Sequence, residues 1–206
     1  MDKNLKEHWE TVYTTKTPQE VSWTQEKPAI SLDFIASFQL DKSASIIDIG
    51  GGDSLLVDFL LDAGYTNISV LDISSHAIER AKVRLGEKSN SVTWIVSDIN
   101  DFEPSQNYDL WHDRAAFHFL TNAKDIERYV QIVAKHTKNL VLGTFSTNGP
   151  FKCSGLEITQ YDEKELGELF EPLGFDLQST KREDHMTPFG TTQNFVFASF
   201  SKKSKL

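Results

Sequence analysis

A turn of three glycines between two acidic residues is the strongest chemical signal in this sequence. Residues 50–52 are glycines that follow a short apolar run, with Asp48 before them and Asp53 after them. Glycine has no Cβ atom and tolerates positive φ, so the backbone of such a turn can approach a ligand closely. Asp72 ends the next apolar run, where a carboxylate can accept hydrogen bonds from both ribose hydroxyls. The pattern predicts a nucleoside site at the edge of a parallel sheet.

Two classes of nucleoside cofactor use this geometry, and the residue types distinguish them. A dinucleotide site requires a third glycine in G-x-G-x-x-G, and Leu55 stands at that position. Asp48 and Asp53 also bring negative charge to the turn, which does not favour a pyrophosphate. S-adenosylmethionine has no phosphate and carries a cationic sulfonium and ammonium, so acidic neighbours suit it. The residues therefore favour S-adenosylmethionine over NAD.

Groups for proton transfer lie after the fourth apolar run and near the end of the chain. Methyl transfer from a sulfonium depends mainly on placing a lone pair in line with the methyl group. An amine acceptor must first lose a proton, so a carboxylate, histidine or tyrosine would assist. We predict Asp113, His118 and His185 as catalytic residues, with Tyr161 as a further candidate. The alternatives are a helix N-cap for Asp113, a packing role for His118 and a turn brace for His185.

Composition argues against several other kinds of protein. The net charge of −9 over 206 residues predicts no nucleic-acid binding, because phosphate backbones repel such a chain. No apolar run is long enough to span a bilayer, so no membrane partner is expected. The single cysteine, Cys153, cannot form an intrachain disulfide and is expected to pack in a loop. The six histidines show no ligand spacing, so we predict no metal.

Strand-like apolar runs alternate with amphipathic helical patterns, which predicts an α/β fold with a mostly parallel sheet and helices on both faces. Asp53 is expected to cap the helix after the glycine turn. Two closing strands with no helix between them are expected to pair as an antiparallel hairpin. The predicted strands cover 45–50, 67–72, 91–97, 108–113, 139–145, 175–180 and 194–200, and two helices over 5–13 and 28–38 precede them.

One domain is predicted over the whole chain. Residues 1–44 are expected to form a helical lid over the ligand edge, 45–201 the Rossmann-like core and 202–206 a basic tail. The segment 146–161 is long for a loop, so we expect a functional role for it. A cytoplasmic location is expected, since the start of the chain lacks a signal or transit pattern. The final Ser-Lys-Leu would indicate a peroxisome only in a eukaryotic source.

Residues 46–145 resemble class I S-adenosylmethionine-dependent methyltransferases, through the DIGGG, LDIS and SDIND motifs. The resemblance implies a Rossmann-like doubly wound sheet of seven strands with an antiparallel last strand. It implies that the glycine turn holds the methionine part of the cofactor and that Asp72 binds the ribose. Ile73 would pack on the adenine, and Asp98 and Ile99 would hold its edge. The predicted cofactor-binding residues are Trp23, Asp48, Gly50, Gly51, Gly52, Asp72, Ile73, Asp98, Ile99 and Asp113.

The flanking motifs carry a narrower resemblance. HWExVY near the start, DRAAFHFL after the fourth run and HxTPxGxxQxF near the end are similar to the citrate synthase lysine methyltransferase-like family. The early W-E-x-x-Y and S-W-x-Q patterns also resemble, more weakly, the lid of thiol and thiopurine S-methyltransferases. That lid would place Trp23 at the cofactor, where an aromatic face attracts a cation. For Trp9 we favour a place in the buried stripe of a helix.

These observations predict an S-adenosylmethionine-dependent methyltransferase that releases S-adenosylhomocysteine. The favoured acceptor is a protein lysine or a small molecule. The alternatives are a thiol or other small-molecule S-methyltransferase and a non-catalytic scaffold that binds S-adenosylmethionine.

Overall fold

The predicted alternation of strands and helices is present in a computed structural model, which describes residues 3–203. The helices are α1 (Lys3–Thr15), α2 (Ala29–Ser37), α3 (Leu56–Asp62), α4 (Ser75–Leu85), α5 (Ala123–His136) and α6 (Glu163–Phe170). The strands are β1 (Ser45–Ile49), β2 (Asn67–Asp72), β3 (Val92–Val96), β4 (Tyr108–Arg114), β5 (Thr137–Phe145), β6 (Lys152–Cys153), β7 (Leu156–Glu157), β8 (Phe175–Met186) and β9 (Thr192–Lys202). The central strands β1 and β2 are short, buried and rich in β-branched residues, as expected for the interior of a parallel sheet.

Seven strands form one sheet in the order β3-β2-β1-β4-β5-β9-β8. The first five are parallel, and β9 is antiparallel to both β5 and β8. The strand order reverses between β1 and β4, and a ligand crevice opens at the carboxyl ends of the strands beside such a reversal. The predicted doubly wound, Rossmann-like sheet with an antiparallel last strand is confirmed.

Helices cover both faces of the sheet. On one face, α5 and α6 bury Tyr129 and Phe170 against Trp111 and Phe200 of the sheet. On the other face, α2 and α3 bury residues such as Phe34 and Leu60. Burial of one such side chain stabilises the fold by roughly 1.5–3 kcal/mol. The two apolar layers hold the carboxyl edge of the sheet rigidly beneath the N-terminal helices.

The closing hairpin is longer than predicted, because β8 continues past residue 180 through a mostly exposed polar stretch that pairs with β9. His185 lies within β8 and pairs with Gln193, so its predicted place in the connecting loop was wrong. Lys202 belongs to β9 rather than to a tail. Ser204, Lys205 and Leu206, and with them the proposed peroxisomal signal, lie outside the described residues.

The segment 146–161 carries the short β6–β7 hairpin. It is tied to the core at Thr159, whose N–H donates to the His118 carbonyl, and at Tyr161, whose N–H donates to the Phe145 carbonyl. Among the described helices, none has the length and apolarity required to cross a lipid bilayer.

Candidate functional site

Two adjoining cavities open at the carboxyl ends of β1, β2 and β4. The larger has a volume of about 700 Å³ and the smaller about 110 Å³. Tyr13, Trp23, Gly50 and Arg114 line both, so the two cavities are parts of one crevice. Residues of the N-terminal segment, such as Tyr13 and Trp23, line these cavities, and the role of that segment as a lid stays a prediction.

The glycine turn between β1 and α3 leaves no space for side chains. Gly50 has φ of +65°, and a Cβ atom there would lie 2.7 Å from that of Ala116. At Gly51 a Cβ atom would lie 2.3 Å from Asp48 Oδ2, and at Gly52 it would lie 2.5 Å from Asp72 Oδ2. Real Cβ atoms do not approach other atoms so closely. The three glycines therefore allow two carboxylates to face the turn.

Asp72, at the end of β2, anchors the turn to the next helix. Its Oδ2 accepts the Gly52 N–H at 3.0 Å, and its Oδ1 accepts the Ser74 N–H at 2.8 Å. Burial raises the pKa of Asp72 to about 7, although these N–H bonds oppose the rise. A carboxylate oxygen can accept more than one hydrogen bond, so both oxygens still have capacity for a ligand.

The smaller cavity brings together the residues predicted for the nucleoside end. Ile73 and Ile99 line it with Asp98, whose Oδ1 accepts the Asn100 N–H at 2.9 Å. Trp9 also lines it, and it is only 8% exposed, so it is both part of the buried stripe of α1 and part of the cavity wall. Apolar walls with a few fixed polar groups are typical of pockets for small molecules and cofactors.

Trp23 is the aromatic contact between the cover and the cavities. Its ring lies 5.6 Å from that of Trp9, measured between centroids, in an edge-to-face arrangement. Trp9 in turn packs edge-to-face on Phe119, with centroids 5.1 Å apart. Such arrangements are favourable for aromatic rings. The cover is therefore held over the crevice by a cluster of packed rings.

Glu10 fastens α1 to the N-terminus of α4. Its carboxylate accepts from the Ser74 hydroxyl at 2.7 Å, from the Ser75 N–H at 2.9 Å and from the His76 N–H at 3.1 Å. Burial would raise the pKa of Glu10, but these hydrogen bonds outweigh it and hold that pKa well below its usual range. A carboxylate at a helix N-terminus also interacts favourably with the helix dipole.

A hydrogen-bonded chain of three buried side chains lies beneath the glycine turn. His112 Nδ1 is 2.7 Å from Asp48 Oδ1, and His112 Nε2 is 2.8 Å from Ser31 Oγ. All three residues line the larger cavity. Asp48 Oδ2 is buried and has no hydrogen-bond partner among the described residues. In the tautomer whose Nδ1–H donates a hydrogen bond to Asp48, Nε2 carries no hydrogen and can accept a hydrogen bond from the Ser31 hydroxyl.

The three residues predicted as catalytic lie elsewhere, outside the described lining of both cavities. Asp113 is fully buried and accepts the N–H groups of Ala116 and Phe117 at 3.1 and 3.0 Å and the Tyr129 hydroxyl at 2.7 Å. It thus fastens the turn after β4, but the alternative of a helix N-cap was wrong, since the next two helical segments have Ala116 and Asn122 as their N-caps. Burial raises its pKa to about 6. Its predicted contact with the cofactor stays a prediction.

His118 and His185 are also packed away from the crevice. The ring of His118 stacks on Phe145 with centroids 4.5 Å apart, and neither nitrogen has a hydrogen-bond partner among the described residues. Burial lowers the pKa of His118 to about 3, so it is uncharged at neutral pH. His185 Nε2 donates to the Ser22 carbonyl at 2.7 Å and thereby braces the cover. The further candidate, Tyr161, is buried as well.

The predicted N-cap role of Asp53 was wrong, because residues distant in the sequence bind its side chain. Asp53 does not cap α3, which begins after Leu55 without a side-chain cap. Instead, its carboxylate pairs with Arg80 at 2.8 Å and with Arg84 at 2.7 Å. Both arginines lie on α4, which brings them to the glycine turn. The negative charge of Asp53 is therefore balanced within the protein.

Sequence reasoning missed Glu10, Ser31, His112 and Arg114. A polar residue inside an otherwise apolar strand was the available signal for His112, and its register partner is Asp48. Ser31 interrupts the apolar face of α2 in the same way. Within the part of the chain that the structure describes, no cluster of His, Cys, Asp and Glu could hold a metal ion.

Comparison with known proteins identifies what this chain is similar to. The model of the methyltransferase domain family matches residues 46–139. The malonyl-[acyl-carrier protein] O-methyltransferase 2 of Ilyobacter polytropus is 29% identical over 109 residues, which cover 52% of this chain and 42% of that protein. This chain thus spans less than half the length of that relative. EEF1A lysine methyltransferase 2 of Danio rerio is 23% identical over 97% of this chain and 87% of its own length.

A solved structure shows the same fold. It is the Burkholderia thailandensis 1,6-didemethyltoxoflavin-N1-methyltransferase, with 1,6-didemethyltoxoflavin and S-adenosylhomocysteine bound. The TM-score is 0.72 at 15% identity, over 97% of this chain and 88% of that one. The predicted resemblance to class I S-adenosylmethionine-dependent methyltransferases is confirmed by the domain match and the shared fold.

Proposed function

We propose that this chain, which contains a methyltransferase domain of the S-adenosylmethionine-dependent class, transfers a methyl group to a small molecule that enters the larger cavity. The observation that carries the proposal is the glycine turn facing two carboxylates, Asp48 and Asp72, at the floor of a crevice. The volume of about 700 Å³ lies within the usual range of small-molecule pockets.

The residues at the floor of the crevice fit the cofactor. Asp48 Oδ2 is a buried carboxylate oxygen without a hydrogen-bond partner among the described residues, and it suits the cationic methionine end. Asp72 is placed for the ribose hydroxyls, while Asp98 and the two isoleucines at positions 73 and 99 would hold the adenine. When bound, S-adenosylmethionine supplies an electrophilic methyl group. The protein contributes binding, orientation and exclusion of water.

Ser31 and His112 provide a path for a proton leaving the acceptor. Ser31 lines the larger cavity, and its hydroxyl donates to His112 Nε2 in the tautomer whose Nδ1–H donates to Asp48. A proton accepted at Ser31 Oγ would therefore be matched by transfer of the serine hydrogen to His112. Asp48 would stabilise the resulting imidazolium, because its Oδ1 lies 2.7 Å from Nδ1. An acceptor that is already deprotonated needs no such help.

A lysine side chain of a protein is the second candidate acceptor. The observation that favours it is the similarity to EEF1A lysine methyltransferase 2 along nearly the whole chain. The malonyl-[acyl-carrier protein] O-methyltransferase relative supports an acid acceptor instead, but that match covers half of this chain. The cavity and the proton path serve either nucleophile.

The test begins with cofactor binding and proceeds to turnover. S-adenosylhomocysteine at about 100 times its dissociation constant should stabilise the protein by roughly 2.7 kcal/mol, an increase in melting temperature of about 5–10 °C. NAD should cause no shift. A screen with radiolabelled S-adenosylmethionine should then compare small acids, amines and thiols with lysine peptides.

The outcomes separate the functions considered. Label in a small molecule supports the proposal, and label in lysine peptides alone supports the second candidate. Binding of S-adenosylhomocysteine with no labelled product from any class would point to the non-catalytic scaffold. Failure of S-adenosylhomocysteine to bind would refute all three.

A further inference from the structure

We propose that the guanidinium of Arg114 binds a carboxylate, or a similar planar oxyanion, carried by the methyl acceptor. The inference rests on the proposed function and specifies the class of acceptor. Arg114 is the last residue of β4 and lines both cavities, next to the glycine turn. A group held there lies where the two parts of the crevice meet.

Only part of this guanidinium is used by the described residues. Nη1 donates to the Trp23 carbonyl at 3.0 Å, and the Phe195 ring covers one face, 4.8 Å from the guanidinium carbon. Nε and Nη2 are buried and have no hydrogen-bond partner in the described chain. Buried donors without partners are costly, so a ligand that pairs them gains affinity.

Nε and Nη2 are the edge with which other arginines of this chain hold carboxylates. Arg182 donates from Nε and Nη2 to the two oxygens of Glu163, both at 2.8 Å. Arg84 does the same to the two oxygens of Asp58, at 3.2 and 2.9 Å. Two parallel N–H bonds match the two oxygens of a carboxylate. Arg114 lines the crevice, and within the described chain no carboxylate pairs with this edge.

The positive charge of Arg114 also favours an anionic ligand. Burial lowers the pKa of Arg114 to about 10, which leaves it cationic at neutral pH. Glu183 and Asp48 act on Arg114 electrostatically, but among the described residues neither forms an ion pair with it, and Glu183 Oε2 is itself buried without a described partner. Asp48 is the group proposed for the cationic end of the cofactor, so a carboxylate on the acceptor would serve as the counterion of Arg114.

The experiment uses the full chain saturated with S-adenosylhomocysteine and titrates it calorimetrically with acetate, malonate, hexanoate and benzoate. The uncharged amide of each acid is the matched probe. We expect at least one acid to bind about tenfold or more tightly than its amide, the scale expected for a desolvated charge pair. Arg114→Gln should remove that preference, and Arg114→Lys should restore only part of it, because lysine keeps the charge without the two-pronged edge.

Arg182→Gln is the control, because the same edge of Arg182 is already occupied by Glu163 and Arg182 lies outside the described lining of both cavities. It should leave the preference for acids unchanged. Equal binding of every acid and its amide by the unmodified protein would overturn the inference, whatever the stability of the variants. The inference would also be overturned if Arg114→Gln weakened the binding of S-adenosylhomocysteine but not that of 5′-methylthioadenosine. The second compound lacks the amino-acid carboxylate, so that result would mean that Arg114 holds the carboxylate of the cofactor. A protein that binds no S-adenosylhomocysteine would refute the proposed function instead.

Discussion

His112 and Asp48 occupy paired positions in the neighbouring strands β4 and β1, and their side chains are joined by a contact of 2.7 Å between Nδ1 and Oδ1. Both are about 2% exposed. The pair links the floor of the glycine turn to Ser31 on α2, and so to the wall of the larger cavity. Under the proposed function, this relationship would connect the binding of the cofactor to the handling of an acceptor proton.

For an acceptor that must lose a proton, we expect His112→Asn to lower kcat by about 10²-fold or more, the usual scale of general-base catalysis. Ser31→Ala should act in the same direction. Affinity for S-adenosylhomocysteine should change little. Single-turnover kinetics measures the first effect and calorimetric titration the second, and an unchanged kcat in both variants would exclude the path.

His118→Phe tests the catalytic role that the sequence predicted for His118 against the proton path through Ser31 and His112. His118 stacks on Phe145 and has no described hydrogen-bond partner, so a phenylalanine should preserve the packing. We expect kcat and KM within about twofold of the unmodified enzyme, since volume-conserving core exchanges are well tolerated. A large loss of kcat at unchanged stability would instead support a catalytic role for His118.

Gly52→Ala should weaken S-adenosylhomocysteine binding at least about tenfold. The new methyl group would lie 2.5 Å from both Asp72 Oδ2 and Ala77 Cβ, so the turn must move away from Asp72. Overpacking of this kind costs roughly 1–3 kcal/mol of stability. Calorimetric titration and thermal unfolding measure the two effects.

Gly167→Ala, in helix α6, is the control for Gly52→Ala. The added Cβ would meet only the flexible end of Glu171, at 3.4 Å. Binding should be unchanged, and stability should rise by about 0.4–1 kcal/mol. Equal affinity for S-adenosylhomocysteine in the two variants would mean that the glycine turn does not contact the cofactor.

Glu10→Gln should loosen α1 without unfolding the sheet. The carboxylate holds the N–H groups of Ser75 and His76 and the Ser74 hydroxyl, and a neutral amide forms weaker bonds at a helix N-terminus. Hydrogen exchange should accelerate in α1, and affinity for S-adenosylhomocysteine should fall several-fold. Glu7→Gln makes the same change at an exposed position of the same helix and should have neither effect. Identical exchange in both variants would show that Glu10 does not fasten the cover.

Asp113→Asn should change how stability depends on pH. Burial raises the Asp113 pKa from 3.8 to about 6, so the folded protein binds a proton that the unfolded chain has released. The contribution of Asp113 to the free energy of unfolding therefore falls as pH rises through this window, by on the order of 3 kcal/mol. Urea unfolding at pH 4, 5, 6 and 7 should show this fall as the difference between the unmodified protein and the variant. A constant difference would contradict it.

The sequence predicts the carboxyl edge of the sheet well, because local patterns determine it. The β2 boundaries at Asn67 and Asp72 follow from a continuous apolar run, and the glycine turn follows from residue type alone. Ile73, Asp98 and Ile99 reach the smaller cavity because parallel strands end at one edge.

The features of the site and fold that the sequence did not predict depend on contacts between residues distant in the chain, which local patterns do not contain. Asp53 is held by arginines of α4, and His112 acquires its role only when β4 pairs with β1. His185 extends a strand whose outer residues are polar, so apolar periodicity gave no sign of the extension. The clamp from Glu10 to Ser74 spans 64 positions and needs the folded cover.

The aromatic cover has a consequence for the order of events in turnover. Trp9 and Trp23 line the smaller cavity, whereas Gln25 and the exposed Val83 line the larger cavity but not the smaller one. With the nucleoside in the smaller cavity, as proposed, we expect the acceptor to exchange through the larger cavity while the nucleoside stays behind the packed rings. We therefore expect an ordered kinetic scheme in which the cofactor enters first and its product leaves last.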